Sequence, residues 1–238
     1  MKLSIIMPAY NEEKRIEGAI KRTERTLDQL GVDYEVIVVD DGSHDNTFEK
    51  AHKTARRSNN DHIKIIGYEK NHGKGNALKY GAMHATGDII IFLDSDLEIP
   101  PEQIKRYLRL LKRGDILIPS KKHPRSKVDS PLIRRVLGRV FNILVRFLIG
   151  LKYRDTQSGL KALKANVLRK VMPKLTIDRY AFDVELLTVA DLYGFKAIEL
   201  PISVKMNGMI KIKEIIRMFH DLLEIAYRHK ILNWYDGN

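Results

Sequence analysis

The fold class this sequence predicts is α/β: a Rossmann-like, mostly parallel sheet flanked by helices, with amphipathic helices towards the C-terminus. Three observations lead there. Short apolar runs rich in β-branched residues alternate with longer amphipathic stretches between residues 3 and 118. Turn-forming residues stand at their junctions. The chemically unusual residues fall directly after strand-like runs, at the edge where open α/β sheets bind ligands.

In chain order, residues 3–7 form the first strand and 12–30 the first helix, with Asn11 placed to cap it and Gly31 to end it. Strands at 34–39 and 63–68 bracket a helix at 47–57, and a third helix occupies 76–85. Residues 89–93, Ile-Ile-Ile-Phe-Leu, read as a buried strand, and Pro100-Pro101 opens the helix at 102–112 before a strand at 116–118. The stretch 131–151 is apolar almost all round, apart from Arg135, Arg139, Asn142 and Arg146, whose spacing draws one polar stripe along a helix. Residues 210–232 give a last helix with one apolar face, carrying Ile212, Ile215, Ile216, Phe219, Leu222, Leu223 and Ala226. The expected division is a main domain at 1–205, which includes the basic amphipathic helix 131–151, followed by a loop and amphipathic helix at 206–238.

At 238 residues and 44% hydrophobic content, the chain can bury one sizeable core and an appendage. Its net charge of +12 calls for an anionic partner: a nucleotide, a nucleic acid or an acidic membrane surface. With one Trp and 8% aromatics, it lacks the stacking platforms that go with basic patches in nucleic-acid binders, so no nucleic-acid partner is expected. The absence of cysteine excludes disulfides and thiolate metal sites. No apolar run approaches the roughly 20 residues of a spanning helix, and none reads as a signal peptide, so a soluble or peripheral protein is expected.

The acidic cluster Asp94-Ser95-Asp96, with Glu98 two residues on, follows the buried strand 89–93. Unpaired charge at the end of a buried strand is costly, and several hard oxygens aimed at one point suit a divalent cation held with a substrate diphosphate; the bland reading is a solvated turn. Asp40 and Asp41 after the second strand can accept hydrogen bonds from a base or ribose, or simply shape an Asp-Gly turn. Residues 71–76, Asn-His-Gly-Lys-Gly-Asn, open a helix whose free backbone N–H groups, with Lys74, suit phosphate oxygens. Neither GxxxxGK[ST] nor GxGxxG is present, which argues against an ATPase or a dehydrogenase.

Residues 5–12, 38–43, 73–77 and 94–96 together resemble, in order, the successive motifs of family 2 glycosyltransferases with the GT-A fold. Residues 154–161 and 179–187 narrow the resemblance to the dolichyl-phosphate β-glucosyltransferase branch, close kin of the dolichyl-phosphate mannosyltransferases. The resemblance implies nucleotide-sugar binding by Pro8, Tyr10, Glu12, Val39, Asp40, Asp41, Lys74, Asp94, Ser95 and Asp96, with Lys205 and Lys211 flanking Gly208 in a loop that closes over the diphosphate. It implies Mg2+ or Mn2+ on Asp96, with Glu98 and Asp94 as further ligands, and an acceptor phosphate near Ser120, Lys121, Arg134 and Arg135. Lys121 stands where relatives carry arginine, which keeps the charge and loses the bidentate fork.

The expected reaction is inverting transfer of a hexose to dolichyl or polyprenyl phosphate, with UDP-glucose as donor or, alternatively, GDP-mannose; transfer to a sugar hydroxyl is a further alternative. Asp94, Asp96, Asp155 and Asp183 are the expected catalytic carboxylates. Asp155 and Asp183 either help position the reactants or serve the fold by capping a turn or pairing with Arg154 or Arg179. The protein is expected at the cytoplasmic face of a membrane as a peripheral protein, with the helix 131–151 either lying in the interface or packed on the sheet.

Overall fold

A computed structural model of the chain describes residues 1–58, 61–206 and 212–236. The chain runs β1 (Lys2–Ala9), α1 (Ile16–Asp28), β2 (Asp33–Asp41), α2 (Thr47–Ser58), β3 (Ile63–Tyr68), α3 (Lys74–Met83), β4 (Ile89–Leu93) and α4 (Ile104–Leu110). It continues with β5 (Ile116–Ser120), β6 (Lys127–Asp129), α5 (Leu132–Leu148), β7 (Leu160–Lys164), α6 (Ala165–Val171), α7 (Phe182–Leu192), β8 (Ala197–Pro201), β9 (Ser203–Lys205) and α8 (Ile212–Lys230). Among the described residues, a seven-stranded sheet has the order β3-β2-β1-β4-β7-β5-β8, and β6 pairs with β9 in a separate ribbon.

The sheet is parallel as expected except at β7, which runs antiparallel to both β4 and β5. β7 escapes a sequence reading because Leu160-Lys161-Ala162-Leu163-Lys164 looks like an exposed lysine-bearing stretch, whereas Lys161 is only 1% exposed. Asn11 does not cap α1. It sits at φ 55° and its side chain accepts the His44 N–H, tying the loop after β1 to the loop after β2, while α1 begins four residues beyond Glu12 without a side-chain cap. Gly31, at φ 60°, takes the left-handed turn that ends the helix, its N–H donating to the Asp28 carbonyl.

Consecutive residues of each strand point to opposite faces, and both faces are covered. Ile6, Ile37 and Phe92 pack with Leu78 of α3, Val184 and Leu187 of α7, and Leu222 and Ile225 of α8. Ile5, Val36, Val38 and Ile91 pack with Ile16 and Ile20 of α1 and Ile104 and Tyr107 of α4. Each such aliphatic side chain, taken fully out of water, contributes about 1.5–3 kcal/mol. A sheet covered on both sides leaves only strand ends open to a ligand. Residues 206–238, expected to follow the main domain, send Leu222, Ile225 and the fully buried Tyr235 into the same core as the sheet.

Of the polar stripe expected on residues 131–151, Arg135, Arg139 and Arg146 face solvent and Asn142 does not. Asn142 is buried, its amide donating to the Tyr153 carbonyl at 3.2 Å, and Val145 is buried beside it. What α5 turns outward is Leu132, Ile133, Val136, Val140, Ile143 and Phe147, along with Arg135, Arg139 and Arg146. α8, in contact with α5, exposes Ile212, Ile216, Phe219, Leu223 and Tyr227. No helix among the described residues is long and apolar enough to cross a membrane.

Candidate functional site

The ends of β1, β2 and β4 lie side by side, with Ala9 in register with Asp40. Their loops are stitched together: the Asn11 N–H donates to Ser43 Oγ at 2.9 Å, the Glu12 N–H to Thr47 Oγ1 at 2.7 Å and the Glu13 N–H to Asp45 at 3.2 Å. Pro8 is the penultimate residue of β1, and Tyr10 is half exposed, meeting the His44 ring edge-on. Val39 points into the core, where its side chain lies against Gly81 of α3, so only its backbone is available to a ligand.

Asp40 and Asp41 separate into different jobs. Asp41 is spent on the protein: its oxygens accept the Tyr68 hydroxyl, the Asn71 amide and the His72 and Gly73 N–H groups at 2.8–3.1 Å, which anchors the loop leading into α3. It is a latch for the loop rather than a free acceptor. Asp40 accepts the Ser43 N–H through Oδ2, while its Oδ1 is buried with no partner. A buried orphaned acceptor is costly, and a donor on a ligand would satisfy it.

Lys74, in the first turn of α3, reaches both oxygens of Asp94 at 2.6 and 2.8 Å. Burial pulls the Lys74 pKa down, but Asp94 and then Asp183 outweigh it and hold the ammonium firmly charged. Asp94 in turn is pressed against Gly159, where a Cβ would fall 2.5 Å from Asp94 Oδ2, and its N–H donates to the Gly159 carbonyl at 2.8 Å. Ser95 is buried, and Leu97 adopts φ 51°, a left-handed conformation that a branched residue rarely takes. That turn leaves Asp96 open to solvent. Asp96 is exposed at its tip but crowded by the surrounding loops, and that partial desolvation, then the Asp94 charge, raise its pKa; desolvation together with Asp96 acts the same way on Glu12, partly offset by Arg15. Beside Asp96 and Glu98 opens a cleft of about 740 Å³, walled by Arg22, Leu97, Lys127 and Val204 among others.

Glu98, expected to ligate the metal, is turned to Arg134: the guanidinium and carboxylate meet at 3.0 and 3.3 Å through two parallel contacts. Each satisfies the other, which takes Glu98 away from the cation and Arg134 away from an acceptor phosphate in this state. Lys121 is likewise held, its backbone N–H on Asp155 at 2.9 Å and its ammonium on the Gln157 carbonyl at 2.5 Å. Ser120 Oγ is buried without a partner, and Arg135 is exposed on α5.

Asp155 and Asp183 pair with lysines and not with Arg154 or Arg179. Asp155 meets Lys121 at 3.4 Å, and Asp183 meets Lys161 at 2.8 Å in a pair almost sealed from water. Neither carboxylate is exposed to a substrate. Lys161 and Gly159 are site residues that sequence reasoning passed over; the signal was present in the run Ser158-Gly159-Leu160-Lys161, as a lysine within an apolar strand. Nearby, Glu185 of α7 is wholly buried, accepting Thr176, Ile177 and the Tyr235 hydroxyl, and so fixes the 176–181 loop that packs on the start of α3. Lys205 lies on β9 by its backbone, while its side chain, Gly208 and Lys211 lie outside the described residues.

The donor set fits a hard divalent cation shared with a diphosphate. Asp94 and Asp96 offer oxygens only, and Asp94, Asp96 and Glu98 do not converge into a ready-made three-ligand cage. Among the described residues the trio that does converge is His220, Asp221 and Glu224 on α8.

Residues 4–172 match the family model for glycosyl transferase family 2. Dolichyl-phosphate beta-glucosyltransferase ALG5D of Trichomonas vaginalis is 32% identical over 98% of this chain and 75% of its own length, and the Homo sapiens dolichyl-phosphate beta-glucosyltransferase is 31% identical over 98% and 77%. Among solved structures, glucosyl-3-phosphoglycerate synthase from Mycobacterium tuberculosis, in complex with Mn2+, uridine diphosphate and glucosyl-3-phosphoglycerate, superposes with a TM-score of 0.69 at 21% identity, over 95% of this chain and 78% of that one; this likeness bears on the fold. The order of the rim motifs, the sheet that carries them and a family match over most of the chain converge: the protein belongs to glycosyl transferase family 2.

Proposed function

We propose that this protein transfers glucose from UDP-glucose to the phosphate of a dolichyl or polyprenyl lipid, with inversion at the sugar carbon, while resting on the cytoplasmic face of a membrane. The observation that carries the reading is Lys74 forked on Asp94, beside solvent-open Asp96 and the orphaned Asp40 oxygen, on one sheet rim. Asp40 supplies an acceptor for the nucleoside, Lys74 a mobile cation for the diphosphate, and Asp96 with Asp94 the oxygens for Mn2+ or Mg2+. When bound, such an ion neutralises charge on the departing nucleoside diphosphate. The names of the curated relatives support the sugar and the lipid class.

The acceptor chemistry agrees with the state of the carboxylates. A phosphate monoester is largely dianionic at neutral pH and needs no strong base to become a nucleophile. Asp155 and Asp183, held by Lys121 and Lys161, are accordingly in no position to take a proton from a hydroxyl acceptor. Their role is to keep those lysines and the 155–159 loop in place, so that geometry rather than proton transfer drives the reaction.

The membrane reading rests on α5 and α8. Two touching helices that expose aliphatic and aromatic stripes, flanked by Arg135, Arg139 and Arg146, match an interface bearing anionic headgroups. The test is to incubate the protein with Mn2+, a short polyprenyl phosphate and either UDP-glucose or GDP-mannose, and to weigh the lipid product. A hexosyl phospholipid from UDP-glucose is expected. Product from GDP-mannose alone would overturn the sugar, and glycosylation of a soluble hydroxyl acceptor in place of the lipid would overturn the acceptor.

A further inference from the structure

Two ion pairs lie together at the rim, one partly open to solvent and one buried beneath it. Asp94 is gripped by Lys74, and Asp183 is gripped by Lys161 at 2.8 Å. The two pairs are neighbours: Gly75, next to Lys74, is so close to Phe182, next to Asp183, that a Cβ on Gly75 would fall 2.7 Å from Phe182 Cβ. On the other side, Lys161 is in register with Phe92 on β4, two residues before Asp94. The Lys161 ammonium is spent entirely inside the protein, on Asp183 and on the Ser158 carbonyl, also at 2.8 Å. Lys74 keeps about a fifth of its side chain open to the rim, whereas Lys161 is 1% exposed.

A buried cation in a strand core is expensive, and apolar residues of similar size would hold the fold at least as well. The arrangement makes sense through Lys74. We propose that Lys161 is a positioning residue for donor binding: by neutralising Asp183 beneath the rim, it leaves Lys74 to Asp94 and to the incoming diphosphate. Without Lys161, Asp183 becomes an uncompensated buried anion, and the neighbouring ammonium of Lys74 is drawn down to it and away from the ligand. The electrostatics agree, since Asp183 is the second charge after Asp94 acting on Lys74. The inference rests on the reading of this rim as a nucleoside diphosphate site.

The test measures Mn2+-dependent binding of UDP by calorimetry, below the melting temperature of every variant, on wild-type protein, Lys161→Met and the double variant Lys161→Met/Asp183→Asn. Lys161→Met is expected to bind about tenfold more weakly, and the double variant, which has no stranded anion, to return to within about threefold of wild type. A purely structural pair would move the melting temperature and leave the affinity alone, so wild-type affinity in Lys161→Met overturns the proposal. If Lys161→Met does not fold, Lys161→Gln, which keeps Asp183 and a polar group on it, takes its place: weakened UDP binding restored in Lys161→Gln/Asp183→Asn supports the proposal, and wild-type affinity in Lys161→Gln overturns it. Wild-type protein that binds no UDP with Mn2+ overturns the donor site itself, and the inference with it.

Discussion

Lys74 lays one ammonium across both carboxylate oxygens of Asp94, closing the rim of the site with an ion pair that a ligand must open. A side chain that already stands as a counter-ion can be exchanged for a metal without leaving the acid bare, and it then faces the diphosphate. Lys74→Met should therefore weaken UDP binding in the presence of Mn2+ and lower kcat/KM on the order of a hundredfold, about 2.7 kcal/mol, with little change in melting temperature. Initial rates against UDP-glucose concentration check this.

Gly159 matters for what it lacks. Because any Cβ there would lie 2.5 Å from Asp94 Oδ2, Gly159→Ala must push Asp94 out of the geometry Lys74 now fixes. A displacement of about 1 Å in a positioned group costs on the order of a hundredfold in rate. The expected outcome is a fall of that size in kcat with cooperative unfolding preserved; an unchanged kcat would mean that Asp94 is free to move.

The strand ends, the order of the rim motifs and the family were legible in the sequence because contiguous residues write them: an apolar run followed by Asp94-Ser95-Asp96 needs no distant partner to be read. The pairings were not legible. Glu98 with Arg134, Asp183 with Lys161 and Asp41 with the 71–73 loop each join residues 22 or more positions apart, and each changes what the acid can do. β7 was hidden for the same reason, since Lys161 reads as surface until Asp183, brought in from α7, makes its burial tolerable. Asn11 failed as a cap because the loop after β2 offered its side chain a better partner than the helix did.

At the opposite end of the sheet, Glu35 gives a pH dependence unconnected with the active rim. Burial pushes its pKa up, but hydrogen bonds from Lys64, Ser4 and Thr86 outweigh that and bring it down to about 2. A depressed carboxyl pKa contributes stability above its ordinary value of 4.5 that is lost as the pH falls through about 2. Glu35→Gln should cost about 2–3 kcal/mol at pH 7 and flatten the loss of stability between pH 4.5 and 2, as thermal melts across that range would record.

Exposed arginines beside an apolar stripe attract anionic lipid at about 1 kcal/mol each. Replacing Arg135 and Arg139 together by glutamate should lower binding to phosphatidylserine-containing liposomes by at least about thirtyfold, while UDP binding stays as it was. Sedimentation with such liposomes checks it, and unchanged sedimentation would remove α5 from the membrane surface.

The most direct test of the acidic rim is calorimetric titration of UDP into wild-type protein and Asp96→Ala, each with Mn2+ and with a chelator. Wild-type protein should bind UDP tightly only with the metal, and Asp96→Ala, with its fold intact because this exposed side chain supports no core, should lose that metal-dependent gain and its turnover on UDP-glucose. Equal UDP affinity with and without Mn2+ in the wild type, or a metal-dependent gain undiminished in Asp96→Ala, would contradict the account.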